Sequence, residues 1–412
     1  MVKIRYFEIT MLVVIILQNG FLKNLPALLL MIPIMLGLIQ SNWKLKTLNL
    51  REALVLLYGG YLLLISIINV KNLYNPVNVI NIFIQYLLIF LSVHICYDKV
   101  KIDRFFISYR NIGVVLSLLC IVEQISRIHF FDIVLGKGGM YSEYAYRVSS
   151  IFGHPILCGV FLVILLLTLL YFPYKKIFFQ YIAVVVTIAA ILFTQSRSSW
   201  IATIVTVFLY WIKKRKIASQ KLQKNKFLFF LSFVISTLAI FISLFFSYLN
   251  HFFMALFVRV SGSLDAGEGH IVRIENILNS INFWNSGHHL QLIFGSGKNA
   301  GLLFLISHPV SKFGGLFVWN SALDNQYLTI VHECGIIGLI LFLLMVVDSL
   351  MTILKSEDKT RLLINSSLLS INIVLFFFEG LDYVTVVLFL VFLYVVDNKE
   401  VKNKGEVEIV YE

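Results

Sequence analysis

Four arginines and one acid-amide pair carry most of the chemistry in this sequence. Arg147, Arg197, Arg259 and Arg273 stand among polar neighbours, and Asp324-Asn325-Gln326-Tyr327-Leu328 opens a long apolar run. The planar fork of arginine grips phosphate oxygens two at a time. A nearby carboxylate can accept a proton from a hydroxyl, and an amide can orient that hydroxyl. Arg197 lies in Thr194-Gln195-Ser196-Arg197-Ser198-Ser199-Trp200, a setting too polar for a side chain that only snorkels to lipid headgroups. Arg147 precedes Val148-Ser149-Ser150-Ile151-Phe152-Gly153-His154-Pro155. Pro155 suits a first helical turn, and His154 is either a polar residue at the start of that helix or a ligand. Asp324 is equally suited to N-cap the helix it precedes, which does not exclude a second role.

These residues need a frame, and composition says what kind. The chain has 412 residues, of which 59% are hydrophobic and only 14% charged, against about 25% charged in soluble domains. A net charge of +12 would suggest nucleic acid as partner of a soluble protein. Here the positive-inside bias of membrane proteins accounts for most of it, so no nucleic-acid partner is expected. Apolar stretches at about 6–22, 25–43, 53–70, 78–97, 111–128, 153–172, 177–195, 198–212, 227–249, 327–350, 362–380 and 383–396 predict membrane spans. The expected fold is therefore all-α, a polytopic membrane helix bundle of about 12 transmembrane helices. The period-two alternation of a barrel is absent. With the N-terminus inside, every inside segment is basic, from Lys3 and Arg5 to the run between Lys213 and Lys226. Both termini are expected in the cytoplasm, with the chain in the cytoplasmic membrane. Cys96, Cys120, Cys158 and Cys334 lie in or beside apolar runs without metal-ligand spacing and read as buried thiols. No metal and no cofactor are expected.

Four regions follow. Residues 1–249 hold helices 1–9, 250–326 form one large extracytoplasmic loop, 327–396 hold helices 10–12, and 397–412 form a cytoplasmic tail. The loop carries an amphipathic helix from Gly269 to about Trp284. Ile271, Ile274, Leu278 and Ile281 keep helical spacing on one face, and Arg273, Asn276 and Ser280 lie on another. Gly295-Ser296-Gly297 reads as a bend. All four arginines fall on the outer side, against the sorting bias, and this makes them informative.

The pattern resembles the O-antigen ligase and O-antigen polymerase family of integral membrane glycosyltransferases. The resemblance rests on Arg147…Phe152-Gly153-His154-Pro155, Ser196-Arg197-Ser198, Arg273, Gly295-Ser296-Gly297 and Asp324-Asn325-Gln326-Tyr327-Leu328…Gly335-Ile336-Ile337-Gly338. It implies a metal-independent glycosyltransferase at the outer face of the membrane, with a glycan on polyprenyl pyrophosphate as donor. The ligase branch typically has His where this chain has Asp324. That departure favours a polymerase joining lipid-carried repeat units of O-antigen, capsule or exopolysaccharide. The growing polysaccharide, membrane lipid and a chain-length regulator would be its other partners.

On this reading Arg197 and Arg273 hold the pyrophosphate, with Arg147 or Arg259 assisting. Asp324 accepts the proton of the attacking hydroxyl and Asn325 orients it, with His154 and Tyr327 as further substrate-binding residues. Two alternatives stand beside it. One is ligase-type transfer of the glycan to another acceptor. The other is a transporter or flippase of lipid-linked sugars, which would place charges at mid-membrane in paired halves.

Overall fold

The computed structural model describes residues 31, 34, 35, 48–69, 86, 87, 89–95, 102–129, 141, 142, 145–217, 268–308, 310, 311, 317, 318 and 322–397. The expected spans at 6–22 and 227–249, nearly all of 25–43, Arg259, Cys96 and the tail after Asp397 lie outside the described residues.

The described chain is all-α apart from two hairpins of two-residue strands. In order it forms α1 (Leu50–Ile68), α2 (Ile102–Ser126), β1 (Tyr141–Ser142), β2 (Ala145–Tyr146), a 3-10 turn (Ser150–Phe152), α3 (Pro155–Tyr171), α4 (Ile177–Phe193) and α5 (Arg197–Ile217). It continues with α6 (Glu268–Asn285), α7 (His289–Phe294), α8 (Ala300–Ser307), β3 (Val310–Ser311), β4 (Phe317–Val318), α9 (Gln326–Lys355), α10 (Lys359–Leu375) and α11 (Val384–Val396). β1 pairs antiparallel with β2, and β3 with β4. Helices α1, α2 and α9 are long and apolar enough to cross a membrane, and α3, α4 and most of α11 are shorter apolar helices.

Local chemistry sets the ends. A capping box starts α1: Asn49 accepts from the Glu52 amide at 2.8 Å, and Glu52 accepts from the Asn49 amide at 2.9 Å. Helix α2 begins at Ile102, earlier than the apolar stretch at 111–128 suggests. Its polar first turns have partners elsewhere in the bundle: Asp103 accepts from the Thr360 hydroxyl, and Arg110 donates to the Phe172 and Pro173 carbonyls beyond the end of α3. Helix α10 stops at Leu375, short of the expected 380. The amides of Phe376, Phe377 and Phe378 close its last carbonyls, and this leaves Glu379 in the connection to α11.

The core lies along α3, α10 and α11, which are buried over nearly their whole length. Helix α10 packs against α3, α5, α9 and α11, and it presents small polar residues there. The Ser370 hydroxyl and the Asn372 amide nitrogen donate back to carbonyls of their own helix, so these donors find acceptors inside an apolar bundle. At one end of the bundle a clasp around the buried Arg51 and Asp397 ties four helices: Arg51 on α1 meets Asp348 of α9 at 2.7 Å and Asp397, just past α11, at 2.5 Å. Arg361 and Asn365 of α10 join Asp397 at 3.2 and 3.0 Å. The starts of α3, α5 and α9 and the end of α10 gather at the opposite end.

Candidate functional site

At that opposite end the strand before α3 pairs with the turn between α4 and α5. The Val148 amide donates to the Phe193 carbonyl at 3.1 Å, Arg147 Nε to the Thr194 carbonyl at 3.3 Å, and Gln195 Nε2 to the Tyr146 carbonyl at 3.2 Å. This pairing brings Arg147 beside the turn that presents Arg197. The segment is held from behind by Glu123 of α2, which accepts from the amides of Ser149 and Ser150 at 3.2 and 2.7 Å and from the Tyr146 hydroxyl at 3.0 Å. His129 also bonds Ser149.

Ser196 caps α5: its hydroxyl accepts from the Ser199 amide at 3.4 Å. The serines around Arg197 are buried while Arg197 itself is exposed. They serve the helix start, and Gly159 of α3 lets Ser199 approach so closely that a Cβ there would fall 2.1 Å from its hydroxyl. Arg197 thus occupies the first turn of a helix, where free amides already favour anions. Burial and then the charge of Arg273 lower the Arg197 pKa, which places the two guanidiniums in one electrostatic field.

Arg273 comes from α6. The apolar stripe of this helix, Ile274, Ile277, Leu278 and Ile281, is exposed, while Asn276 and Ser280 are buried. Its polar face therefore turns inward, where Ser280 meets His332 of α9 at 2.9 Å. On the same side Arg273 Nη2 lies 3.5 Å from Asp324 Oδ2. Arg273 Nε is buried and without a hydrogen-bond partner.

Asp324 does not cap α9. Asn325 does: its Oδ1 accepts from the amides of Tyr327 and Leu328 at 3.0 and 3.1 Å. Asp324 stands one residue earlier at φ +56°, in the left-handed region, and its carboxylate is left for Arg273. The Asn325 oxygen is committed to the helix, which leaves its amide nitrogen as the group that could meet a ligand. Tyr327 points into the helix packing, with its hydroxyl donating to the Asn372 carbonyl at 3.3 Å and its ring against Phe342 and Phe376.

His154 N-caps α3 by accepting from the Ile156 amide at 3.3 Å, and it stacks on Phe378 at 4.9 Å between ring centres. Burial, then the nearby charge of Arg147, lower its pKa to about 4. It is a neutral imidazole at ordinary pH. Arg147, Arg197, Arg273, His154 and Asp324 are thereby linked in a chain of neighbours at one end of the bundle. Arg259 lies outside the described residues.

The Gly295-Ser296-Gly297 bend has a specific task. Helix α9 is broken at Gly335, with φ +66° and ψ −170°. Carbonyls freed near the break are taken by the loop: the Ser296 amide donates to the His332 carbonyl and the Gly297 amide to the Glu333 carbonyl, both at 2.9 Å. A Cβ at Gly295 would lie 2.3 Å from the Glu333 oxygen, and one at Gly335 2.2 Å from the Ile293 oxygen. Only glycine admits that approach.

Four charged residues of this end, Lys298, Asp382, Glu379 and Glu123, were not singled out from the sequence. Lys298 is buried and bridges Glu333 at 2.9 Å and Asp382 at 2.6 Å. Burial opposes its charge, but Asp382 and Glu333 outweigh that and hold its pKa well above the usual lysine value. Glu379 accepts from the Leu323 amide at 2.5 Å and the Thr329 hydroxyl at 2.8 Å. Glu123 was readable: it is the one acid in the apolar stretch 111–128, and an acid there is costly enough to need a reason.

Residues 182–343 match a family model described as O-Antigen ligase. The match takes in Arg197, Arg273 and Asp324, and stops short of Arg147 and His154 on one side and Glu379 on the other. No curated protein and no solved structure matches the chain.

Proposed function

With an O-antigen ligase domain in the chain as premise, we propose that this protein is a polysaccharide polymerase of the cytoplasmic membrane. It joins oligosaccharide repeat units carried on polyprenyl pyrophosphate, at the outer face, as a bundle of about twelve spans with both termini inside. The observation that carries the reading is the placement of Asp324 against Arg273, within the field of Arg197, at one end of an apolar bundle. A lipid-linked substrate reaches such a site from the membrane.

The chemistry follows from the charges. A sugar hydroxyl of one unit attacks the anomeric carbon of the glycan on another. The new glycosidic bond forms as the sugar–phosphate bond breaks, and polyprenyl pyrophosphate leaves with the electron pair. Arg197 and Arg273 meet the negative charge that develops on it, assisted by Arg147 or Arg259. Preorganised donors of this kind contribute several kcal/mol in a site shielded from water. The arginines supply this without a metal. Asp324 takes the hydroxyl proton, and the Asn325 amide nitrogen orients the oxygen. A carboxylate is a weak base. It suffices because pyrophosphate leaves readily and proton transfer comes late. His154, neutral and stacked on Phe378, offers a polar edge to the sugar.

The description of the matching family favours a second reading, transfer of the glycan to a different acceptor. Purified protein in vesicles with lipid-linked single repeat units distinguishes the two. The polymerase yields a ladder of longer lipid-linked chains with no energy source. No ladder, but transfer from preformed chains to an added acceptor, establishes the ligase reading instead. Movement of lipid-linked units across the vesicle without bond formation would overturn both.

A further inference from the structure

Glu379 stands in the connection between α10 and α11. One oxygen, Oε1, receives both the Leu323 amide at 2.5 Å and the Thr329 hydroxyl at 2.8 Å. Leu323 immediately precedes Asp324, and Thr329 lies in the first turns of α9. A second tie runs beside it, from the Leu381 amide to Gln326 Oε1 at 2.9 Å. The left-handed turn at Asp324 is therefore fixed by the α10–α11 connection rather than by its own cap.

The Thr329 hydroxyl has one hydrogen and two acceptors in reach, Glu379 at 2.8 Å and the Asn325 carbonyl at 3.1 Å. Hydrogen bonds to an ionised carboxylate are roughly twice as strong as those to a neutral group. With Glu379 ionised, the hydroxyl favours Glu379 and the turn is anchored. With Glu379 protonated, the intrahelical Asn325 carbonyl competes and the tie weakens.

We propose that Glu379 is a positioning residue for Asp324: its carboxylate holds the Leu323-Asp324-Asn325 turn against the α10–α11 connection, and its protonation loosens that hold. The proposal rests on the reading of Asp324 as the proton acceptor. The surroundings place the change in an accessible range. Burial pushes the Glu379 carboxyl up to about 7; Thr329 and Leu323 pull it down, and Asp382 and Glu333 push it further up. Lys298 faces the same acids from its own loop and is committed to Glu333 and Asp382. Tyr383 follows Asp382 in the same connection, and Arg273 stands beyond Asp324. The anchored form therefore prevails above about pH 7 and declines below it.

The test uses the full chain, purified into vesicles with lipid-linked single repeat units, from about pH 5.5 to about 8.5. Rate and the hydrogen-exchange protection of the Leu323 amide are followed together. In the wild-type chain both rise through about pH 7. Glu379→Gln keeps an acceptor for Leu323 and removes the titration, so the step near pH 7 disappears from both readouts. Glu379→Ala lowers kcat by about tenfold or more with KM unchanged, and Leu323 loses protection. A step that persists in Glu379→Gln, or Leu323 protection unchanged in Glu379→Ala, overturns the proposal. A wild-type chain inactive at every pH overturns the functional reading instead, and the exchange data then decide the role of Glu379 alone.

Discussion

Arg273 Nη2 and Asp324 Oδ2 lie 3.5 Å apart, joining the loop helix α6 to the residue that precedes the cap of α9. Their side chains are 35% and 49% exposed. An ion pair this open to water contributes about 0–1 kcal/mol to stability, too little to explain the left-handed turn at Asp324. The pair is better placed to meet a ligand than to hold the fold. Arg273→Ala and Asp324→Asn should therefore change the Tm by no more than a few degrees. Each should lower polymerisation by about a hundredfold or more. Thermal unfolding and chain-length ladders measured on the same preparation check this. Near-normal ladders from either variant would remove the pair from the reaction.

Arg197 tests what kind of charge the site needs. It sits in the first turn of α5 over a capped helix start, where burial and Arg273 both lower its pKa. Arg197→Lys keeps the charge but loses the two-pronged grip on phosphate. It should leave a few per cent of the rate, roughly a tenfold to hundredfold loss, and Arg197→Ala less still. If Lys serves as well as Arg, charge alone is required and bidentate binding is not. Arg147, tied through Nε to the Thr194 carbonyl, should show a smaller loss on replacement by Ala.

The break at Gly335 makes a folding prediction. Gly295 and Gly335 each leave no room for a Cβ, with backbone atoms within 2.3 Å of the ideal position. Both also have positive φ, at +84° and +66°. Gly335→Ala should strain the chain by about 1–3 kcal/mol from its backbone angles alone, before any displacement of the 293–297 loop. Reduced membrane abundance and a lower Tm are expected, with the defect falling on Lys298 and its acids as well. Gly287, also at positive φ but with nothing near its Cβ position, supplies the control: Gly287→Ala should be much milder.

Much of the frame was legible because apolar runs and their punctuation are local signals. Pro155 after His154 marks the start of α3, and the spacing of Ile274, Leu278 and Ile281 marks α6. The orientation of α6 was not legible in the same way. Periodicity shows that two faces differ, but not that the polar one turns inward onto His332. The cap at α9 shows a similar limit. Asp324 and Asn325 both suit a cap, and only backbone angles decide that Asn325 takes it and Asp324 is released. Glu379 was hidden inside an apolar stretch whose helix ends four residues earlier, and its partners Leu323 and Thr329 are about fifty residues away in sequence. Lys298 and Asp382 are likewise joined only by the fold.

His154 makes the pH dependence of this end testable without substrate. Burial, then Arg147, lower its pKa to about 4, below the ordinary histidine value of about 6.5. The unfolded chain therefore binds a proton here between about pH 6.5 and 4 while the folded chain does not. Stability from this residue is fully present above about 6.5 and is lost as pH falls toward 4. Charging the ring would set it against Arg147 and interrupt its acceptor bond from the Ile156 amide. The expected result is a Tm that falls over that window in the wild-type chain and falls less in His154→Asn, which can still cap α3 but does not titrate. Glu379 works in the opposite sense, since a raised carboxyl pKa removes stability as pH climbs from the ordinary carboxyl value of about 4.3 to about 7. Comparing Tm against pH in His154→Asn, Glu379→Gln and the double variant separates the two. An acid-side decline unchanged in His154→Asn would show that His154 is not the group responsible.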